Sequence, residues 1–137
     1  MNLVLDTNVF ISGVFFSGPP HVILRAWRDG IIRLFVSPEI IAEYRRTGEE
    51  LAAGFPGVDL NPWLDLVAAS ATVVKAPPLP KQVCADPDDD KFLACALAGE
   101  TKLVISGDKA LLAVSGYREI AVLSPRQFID RHLENTS

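Results

Sequence analysis

The chain has 137 residues, 49% of them hydrophobic, and this length and composition fit a single globular domain over residues 1–137. Thirteen Lys and Arg against seventeen Asp and Glu give a net charge of -4, which argues against nucleic-acid binding through a broad basic face but not against a nuclease whose acids hold metal. No apolar run reaches the roughly 18 residues of a membrane span and no export signal is present, so we expect a soluble, cytoplasmic protein.

The first segment is a short apolar run that ends at a carboxylate. Leu3–Leu5 predicts a buried parallel strand, and Thr7-Asn8 provides the chemistry of a helix start directly after it. Asp6 therefore lies at the carboxyl end of the strand. Ligands bind at that end of the strands in open α/β sheets, so Asp6 is a candidate site residue.

The middle of the chain alternates between helix and strand patterns. The predicted elements are a helix from Pro20 to Gly30, a strand over 32–37, a helix starting at Pro38, a helix end and a loop over 47–57, a helix capped by Asn61-Pro62, and a strand over 71–74. Glu43 falls on the border of the buried face of the helix from Pro38, whereas Glu39 falls in its exposed first turn. The three prolines within residues 76–80 predict an extended connector that crosses the sheet.

The next helix begins with four acids, Asp86, Asp88, Asp89 and Asp90. Acids in a first helical turn cap free N–H groups and complement the helix dipole, so some of them need no further role. Asp90 shares a helix face with Leu93, which turns it toward the core. We therefore predict that Asp90 is the functional acid of this group.

The last third of the chain repeats the arrangement seen at Asp6. Residues 103–106 predict a buried strand, and Asp108 follows its carboxyl end before a helix-like segment over 110–113. A strand over 120–123, a helix start at Ser124-Pro125 and a closing helix over 127–133 follow. The alternation predicts a three-layer α/β/α sandwich around a central parallel sheet.

In this topology Asp6, Glu43, Asp90 and Asp108 can converge. At about 6 Å and an effective dielectric near 20, each pair of carboxylates repels by about 3 kcal/mol. Such a cluster persists only if acids protonate or a divalent cation joins them, and an all-oxygen set suits Mg²⁺ or Mn²⁺. Metals held in this way support phosphodiester hydrolysis. The competing chemistry is weak, because Cys84 and Cys95 match no zinc pattern and the two histidines, His21 and His132, fall in unrelated helices.

Four stretches in this order resemble the PIN-domain nucleases, in particular the PIN-type toxins of prokaryotic toxin-antitoxin systems. They are Val4-Leu5-Asp6-Thr7-Asn8-Val9-Phe10-Ile11-Ser12, Ser37-Pro38-Glu39-Ile40-Ile41-Ala42-Glu43-Tyr44, Asp86-Pro87-Asp88-Asp89-Asp90-Lys91-Phe92-Leu93-Ala94, and Ser106-Gly107-Asp108-Lys109-Ala110-Leu111-Leu112. The resemblance implies that Asp6, Glu43, Asp90 and Asp108 bind the metal and that Thr7, Asn8 and Ser106 line the site as hydrogen-bonding groups. It also implies an RNA substrate, Mg²⁺ or Mn²⁺, a homodimer and a cognate antitoxin. Ala110 stands where many relatives carry a further aspartate, which leaves the number of metal ions open.

Two other functions remain possible from the sequence. An aspartyl-phosphate phosphotransferase would need Asp-x-Asp-x-Thr, but Asn8 and Phe10 occupy the second and fourth positions after Asp6. A PIN-like module that binds RNA or protein without cutting stays open because of Ala110. Four basic residues flank the acids and are candidates for phosphate contact, although each is more often a solvated helix residue: Arg45, Arg46, Lys91 and Lys109.

Overall fold

The structure is a computed structural model, and it describes residues 1–133. The strands are β1 (Asn2–Leu5), β2 (Arg33–Val36), β3 (Thr72–Val73), β4 (Leu103–Ile105) and β5 (Ala121–Leu123). The helices are α1 (Thr7–Phe15), α2 (Pro19–Arg28), α3 (Pro38–Ala52), α4 (Asn61–Ser70), α5 (Asp90–Ala98), α6 (Lys109–Leu112) and α7 (Pro125–Phe128). Short 3-10 turns cover Pro87–Asp89 and Tyr117–Glu119, and a π-helical turn covers Ile129–Leu133.

The five strands form one parallel sheet in the order β3-β2-β1-β4-β5. β1 lies at its centre, and Leu3, Val4 and Leu5 are completely buried. A continuous apolar strand of this kind is typical of a parallel sheet that helices cover on both faces. The predicted three-layer α/β/α sandwich is confirmed.

The order of the strands reverses between β1 and β4. The chain passes from β1 to β2 and β3 on one side, and the connector after β3 then leads back across the sheet to β4 on the other side. Val4 and Leu5 pair with Val104 and Ile105, so the segments that follow β1 and β4 leave the sheet side by side. Such a reversal leaves a crevice outside the carboxyl ends of the two strands. The expectation that Asp6 and Asp108 follow neighbouring strands is therefore confirmed.

Helix α3 extends into residues 47–57, where the sequence predicted a helix end and a loop. It continues to Ala52, so the helix ends within that stretch and the loop follows it. Gly48 is buried in this helix, and a Cβ there would lie 2.8 Å from Leu60 Cδ2. Leu60 packs closely against Gly48 because glycine has no side chain there. This packing outweighs the weak helix propensity of glycine.

The C-terminal helix begins at Pro125, in agreement with the start predicted at Ser124-Pro125. The Ser124 side chain accepts from the Gln127 N–H, and the Gln127 side chain accepts from the Ser124 N–H. From Ile129 to Leu133 the helix is wound as a π-helical turn.

Within residues 1–133, no single helix is long and apolar enough to cross a membrane. The pair α1 and α2 reaches the required length and composition only when counted together, and the two helices are bent by 90° at their junction.

Candidate active site

Asp6 lies at the centre of the crevice, directly after β1. The residue is only 5% exposed, and its Oδ2 accepts a hydrogen bond of 2.6 Å from Ser106 Oγ. Burial raises the pKa of Asp6, and the charges of Asp108 and Glu43 raise it further, while Ser106 and the backbone amide of Asn8 offset part of the increase. Asp6 is thus a buried carboxyl that faces other acids.

Ser106 connects Asp6 to the segment after β4. It is completely buried, and its Oγ accepts from the Asp108 N–H at 3.0 Å while donating to Asp6. Asp108 caps α6, since its Oδ1 accepts from the Ala110 N–H at 3.0 Å. Capping of α6 therefore holds the Asp108 side chain in place, and the charge of Asp108 also acts on Asp6.

Glu43 reaches the same crevice from α3. Ser37 caps this helix by accepting from the Ile40 N–H, and the Tyr44 hydroxyl donates to the Leu5 carbonyl at 2.6 Å. Tyr44 follows Glu43, so the contact with Leu5 holds the middle of α3 against the end of β1. Glu43 Oε1 accepts from Thr7 Oγ1 and its Oε2 accepts from Lys91 Nζ at 2.5 Å.

Glu39, one turn earlier on α3, is exposed. The helix phase inferred from the sequence therefore agrees with the structure, in which Glu43 and not Glu39 lies beside Asp6. Thr7 is buried beside Glu43, as expected for a group lining the site, whereas Asn8 is exposed and acts on Asp6 through its backbone amide.

The structure does not bring Asp90 into this cluster. Asp90 Oδ1 accepts from the Cys84 N–H at 2.7 Å, and its Oδ2 accepts from the Val83 N–H at 3.0 Å. The Asp90 side chain turns away from solvent, as predicted, but it contacts the loop that precedes its own helix. Both of its oxygens are used to hold that loop, so the placement of Asp90 among the clustered acids has to be corrected.

Asp89 takes the place expected for Asp90. Burial, a hydrogen bond with Asp108, and the charges of Asp108, Asp6 and Asp86 together raise the pKa of Asp89 to about 7. The chain forms a 3-10 turn over Pro87–Asp89 before α5 begins. A 3-10 turn has fewer residues per turn than an α-helix, so each residue is rotated further about the axis. The side-chain direction of Asp89 therefore cannot be extrapolated from the periodicity of α5.

Lys91 is buried among these acids, at 8% exposure. Its Nζ donates to Glu43 Oε2, to Asp88 Oδ2 at 2.8 Å and to the Asp88 carbonyl at 3.0 Å. Burial alone would lower the pKa of Lys91, but its hydrogen bonds and ion pairs with Asp88 and Glu43 outweigh burial and raise the pKa. The same contact with Lys91 lowers the pKa of Asp88. The three other basic candidates, Arg45, Arg46 and Lys109, are exposed.

The thiols and imidazoles offer no competing site. Cys84 and Cys95 are free and buried, as predicted, and burial is the main reason that each has a pKa of about 12. His21 Nδ1 lies 2.8 Å from the Gly13 carbonyl, and His132 packs on Phe128 with ring centroids 5.3 Å apart. These contacts of the two imidazoles are thus with a backbone carbonyl and an aromatic ring, and not with a Ser or Cys side chain.

A comparison with protein families matches most of the chain to one family. The model of the PIN domain matches residues 2–110, a stretch that contains every acid of the cluster. The chain belongs to the PIN domain family. Members of this family are generally nucleases that act on phosphodiesters, and they generally use divalent metal ions. An uncharacterized protein of Methanocaldococcus jannaschii is 29% identical over 143 aligned positions, which cover 95% of this chain and 90% of that protein.

The donor atoms of this PIN domain fit a hard divalent cation. Within residues 1–133, no group of three or more His, Cys, Asp or Glu side chains forms a ready-made metal site. The groups that face one another nevertheless offer only carboxylate and hydroxyl oxygens, which Mg²⁺ and Mn²⁺ prefer. Burial and the charges of neighbouring acids raise the pKa values of Asp6 and Asp89, and a divalent cation beside them would favour their ionised forms.

Sequence reasoning missed Asp89 and the burial of Lys91. The proline at position 87 was a usable signal for Asp89, because a Pro-initiated turn before a helix changes the helical phase. The burial of Lys91 depends on Glu43, which is 48 residues away, and no local pattern contains that information.

Proposed function

We propose that this PIN domain is a metal-dependent endoribonuclease. The observation that supports this best is the meeting of Asp6, Glu43, Asp89 and Asp108 at the reversal point of the sheet. They come from four different segments of the chain. Burial first, and the charges of neighbouring acids second, raise the pKa values of Asp6 and Asp89, so the fold keeps these carboxyls where ionisation is unfavourable. A fold retains such a cluster when function requires it.

In this proposal Asp6, Asp89 and Asp108 hold one Mg²⁺ or Mn²⁺ ion, and Asp89 replaces the Asp90 expected from the sequence. The ion, when bound, polarises the scissile phosphate and lowers the pKa of an attacking water. Ser106 orients the Asp6 carboxylate, and Thr7 orients that of Glu43. These hydroxyls fix the acids before metal arrives, which lowers the cost of assembling the site.

The proposed substrate is RNA, which approaches the crevice past exposed basic side chains. Arg46 Nη2 lies 3.8 Å from Glu43 Oε2 and its side chain is 63% exposed, so it can contact a phosphate at the rim. Arg45 and Lys109 are exposed on the segments that carry Glu43 and Asp108. Lys91 does not belong to this group, because its three N–H donors are already used inside the protein.

We further propose that the protein is the toxin of a toxin-antitoxin pair, acting in the cytoplasm as a homodimer that a cognate antitoxin silences. The support is the resemblance of the four acidic stretches to PIN-type toxins. Under this proposal, expression of the wild type halts cell growth, and expression of a variant lacking Asp6 does not.

The experiment that tests the nuclease is cleavage of mixed RNAs with Mn²⁺ or Mg²⁺ by the wild type and Asp6→Asn. The substitution keeps the shape of the side chain and removes its charge, so we expect cleavage to fall by at least about 100-fold. A chelator should abolish the wild-type activity. Asp65→Asn, an exposed aspartate on α4, is the matched control and should cleave like the wild type.

Equal cleavage by the wild type and Asp6→Asn would mean that a contaminant cuts the RNA. RNA binding without cleavage by either protein would favour the non-catalytic PIN-like module instead.

A further inference from the structure

Lys91 divides the acid cluster into two halves with different charge. On one side, its ammonium group lies between Glu43 and Asp88, at 2.5 Å and 2.8 Å. On the other side, Asp6, Asp89 and Asp108 are close enough for their charges to interact. Within residues 1–133, none of the six ion pairs includes any of these three acids. The protein therefore neutralises one half with its own cation and leaves the other half negative.

Both oxygens of Glu43 are already engaged. Oε1 accepts from Thr7 Oγ1, and Oε2 accepts from Lys91 Nζ. Arg46 adds a longer contact of 3.8 Å to Oε2. A divalent ion beside Glu43 would have to approach the buried ammonium of Lys91, and two cations in such proximity repel strongly at low dielectric.

Lys91 is also fixed where it is. Its side chain is 5% exposed, and the ammonium group has three protons and three acceptors, two on Asp88 and one on Glu43. Release of Lys91 toward solvent would leave Glu43, which is half-buried, with only the Thr7 hydrogen bond and the longer contact to Arg46, and this is costly. For the same reason Lys91 has no free donor to offer a phosphate.

We propose that Lys91 is a built-in cation that occupies the position beside Glu43 that a second divalent ion would otherwise take, so that the site binds a single divalent ion at Asp6, Asp89 and Asp108. This inference rests on the proposed metal-dependent function. Lys91 is then a positioning residue. Glu43 is a carboxylate that Lys91 and Thr7 orient, and not the metal ligand that the resemblance implied.

The number of bound ions tests this directly. Calorimetric titration with Mn²⁺, without RNA, should give one ion per wild-type chain, and electron paramagnetic resonance should show an isolated ion. Lys91→Met should bind two ions that are magnetically coupled, because Glu43 and Asp88 become free to hold the second one. The double variant Lys91→Met/Glu43→Gln should return to one ion. Lys91→Arg, which keeps the charge, should remain at one.

Lys102→Met is the matched control, since Lys102 is an exposed lysine that pairs with Glu119 and lies before β4, at the opposite end of that strand from Asp108. It should bind one ion, as the wild type does. A merely structural ion pair at Lys91 would leave the number of ions at one in Lys91→Met, and that result would overturn the inference. Two coupled ions in the wild type would also overturn it while leaving the proposed nuclease intact. Absence of Mn²⁺ binding by the wild type would overturn both.

Glu43→Gln keeps the inference testable if Lys91→Met does not fold. It should still bind one Mn²⁺ ion with an affinity lowered by less than about tenfold, whereas Asp108→Asn, which removes a proposed ligand, should lose more than about 100-fold. An equal loss in the two variants would show that Glu43 is a ligand and would overturn the inference.

Discussion

Asp89 and Asp90 are adjacent in the chain, but their side chains lie in different environments. Asp90 accepts two backbone N–H groups of the preceding loop, which satisfies donors that would otherwise be buried without partners. Asp89 faces Asp108 and Asp6, and its raised pKa reflects a poor environment for a negative charge. Asp90 thus stabilises the fold, whereas the ionised form of Asp89 is unfavourable in it.

This contrast predicts opposite effects of the same substitution at the two positions. Asp90→Asn weakens two charge-assisted hydrogen bonds, and we expect a loss of about 1–3 kcal/mol in the free energy of unfolding with little change in Mn²⁺ affinity. Asp89→Asn removes a repelling charge, so the metal-free protein should be at least as stable as the wild type, while Mn²⁺ affinity and cleavage fall sharply. Urea unfolding and calorimetry of both variants measure the four quantities. The reverse pattern would restore Asp90 as the ligand.

At the scale of elements, α3 is fixed at three points. Ser37 caps its start, the Tyr44 hydroxyl binds the end of β1, and the Tyr44 ring stacks on Phe10 with centroids 4.2 Å apart and planes 1° from parallel. Close contact with Leu60 at Gly48 fixes its last turns. Glu43 lies between these points, so its position at the crevice is a consequence of how α3 packs.

Gly48→Ala should therefore destabilise the protein although alanine favours helices. The new Cβ would lie 2.8 Å from Leu60 Cδ2 and 3.3 Å from Ile11 Cδ1, and overpacking of this kind costs about 1–3 kcal/mol. Gly54→Ala is the control, because the nearest atom to its Cβ would be the Leu51 carbonyl oxygen at 3.7 Å. It should be neutral or slightly stabilising. Thermal melts of the two variants compare them, and equal melting temperatures would mean that Leu60 moves aside freely.

The sequence predicted the parts of the site that depend on local patterns. Asp6 and Asp108 follow apolar strands, and Glu43 lies in a helix whose period is clear, so their positions followed from strand ends and helix phase. Asp89 did not follow, because a 3-10 turn intervenes and the acids around it are all plausible caps. The sequence placed the end of α3 within residues 47–57 but did not fix its position, because the last turns of α3 pack against Leu60, in the segment that leads to α4.

At the scale of the whole molecule, the acid cluster links stability to pH. The pKa of Asp89 is raised from 3.8 to about 7, and that of Asp6 is raised as well. A carboxyl whose pKa is higher in the folded state binds its proton more tightly there, so it favours folding at low pH. This contribution is lost as pH rises from about 4, where the unfolded chain ionises, to about 7, where folded Asp89 ionises.

The metal-free protein should consequently melt at a higher temperature at mildly acidic pH than at neutral pH, until other carboxyls such as Asp88, whose pKa is lowered by Lys91, lose their partners. Asp108→Asn should raise the metal-free melting temperature at neutral pH by a few degrees, about 1 kcal/mol after screening by solvent. The asparagine removes the charge that acts on Asp89 and Asp6 but still caps α6, since Asn caps helices as well as Asp does.

Mn²⁺ should reverse the order of the two proteins. An ion at 100 times its dissociation constant stabilises the wild type by about 2.7 kcal/mol, and Asp108→Asn should gain much less because a ligand is missing. Thermal melts of both proteins at pH 5.5 and 7.5, with and without Mn²⁺, measure all of these effects. A metal-free Asp108→Asn protein that melts below the wild type, with the same response to Mn²⁺, would show that Asp108 serves α6 as a cap and does not bind metal.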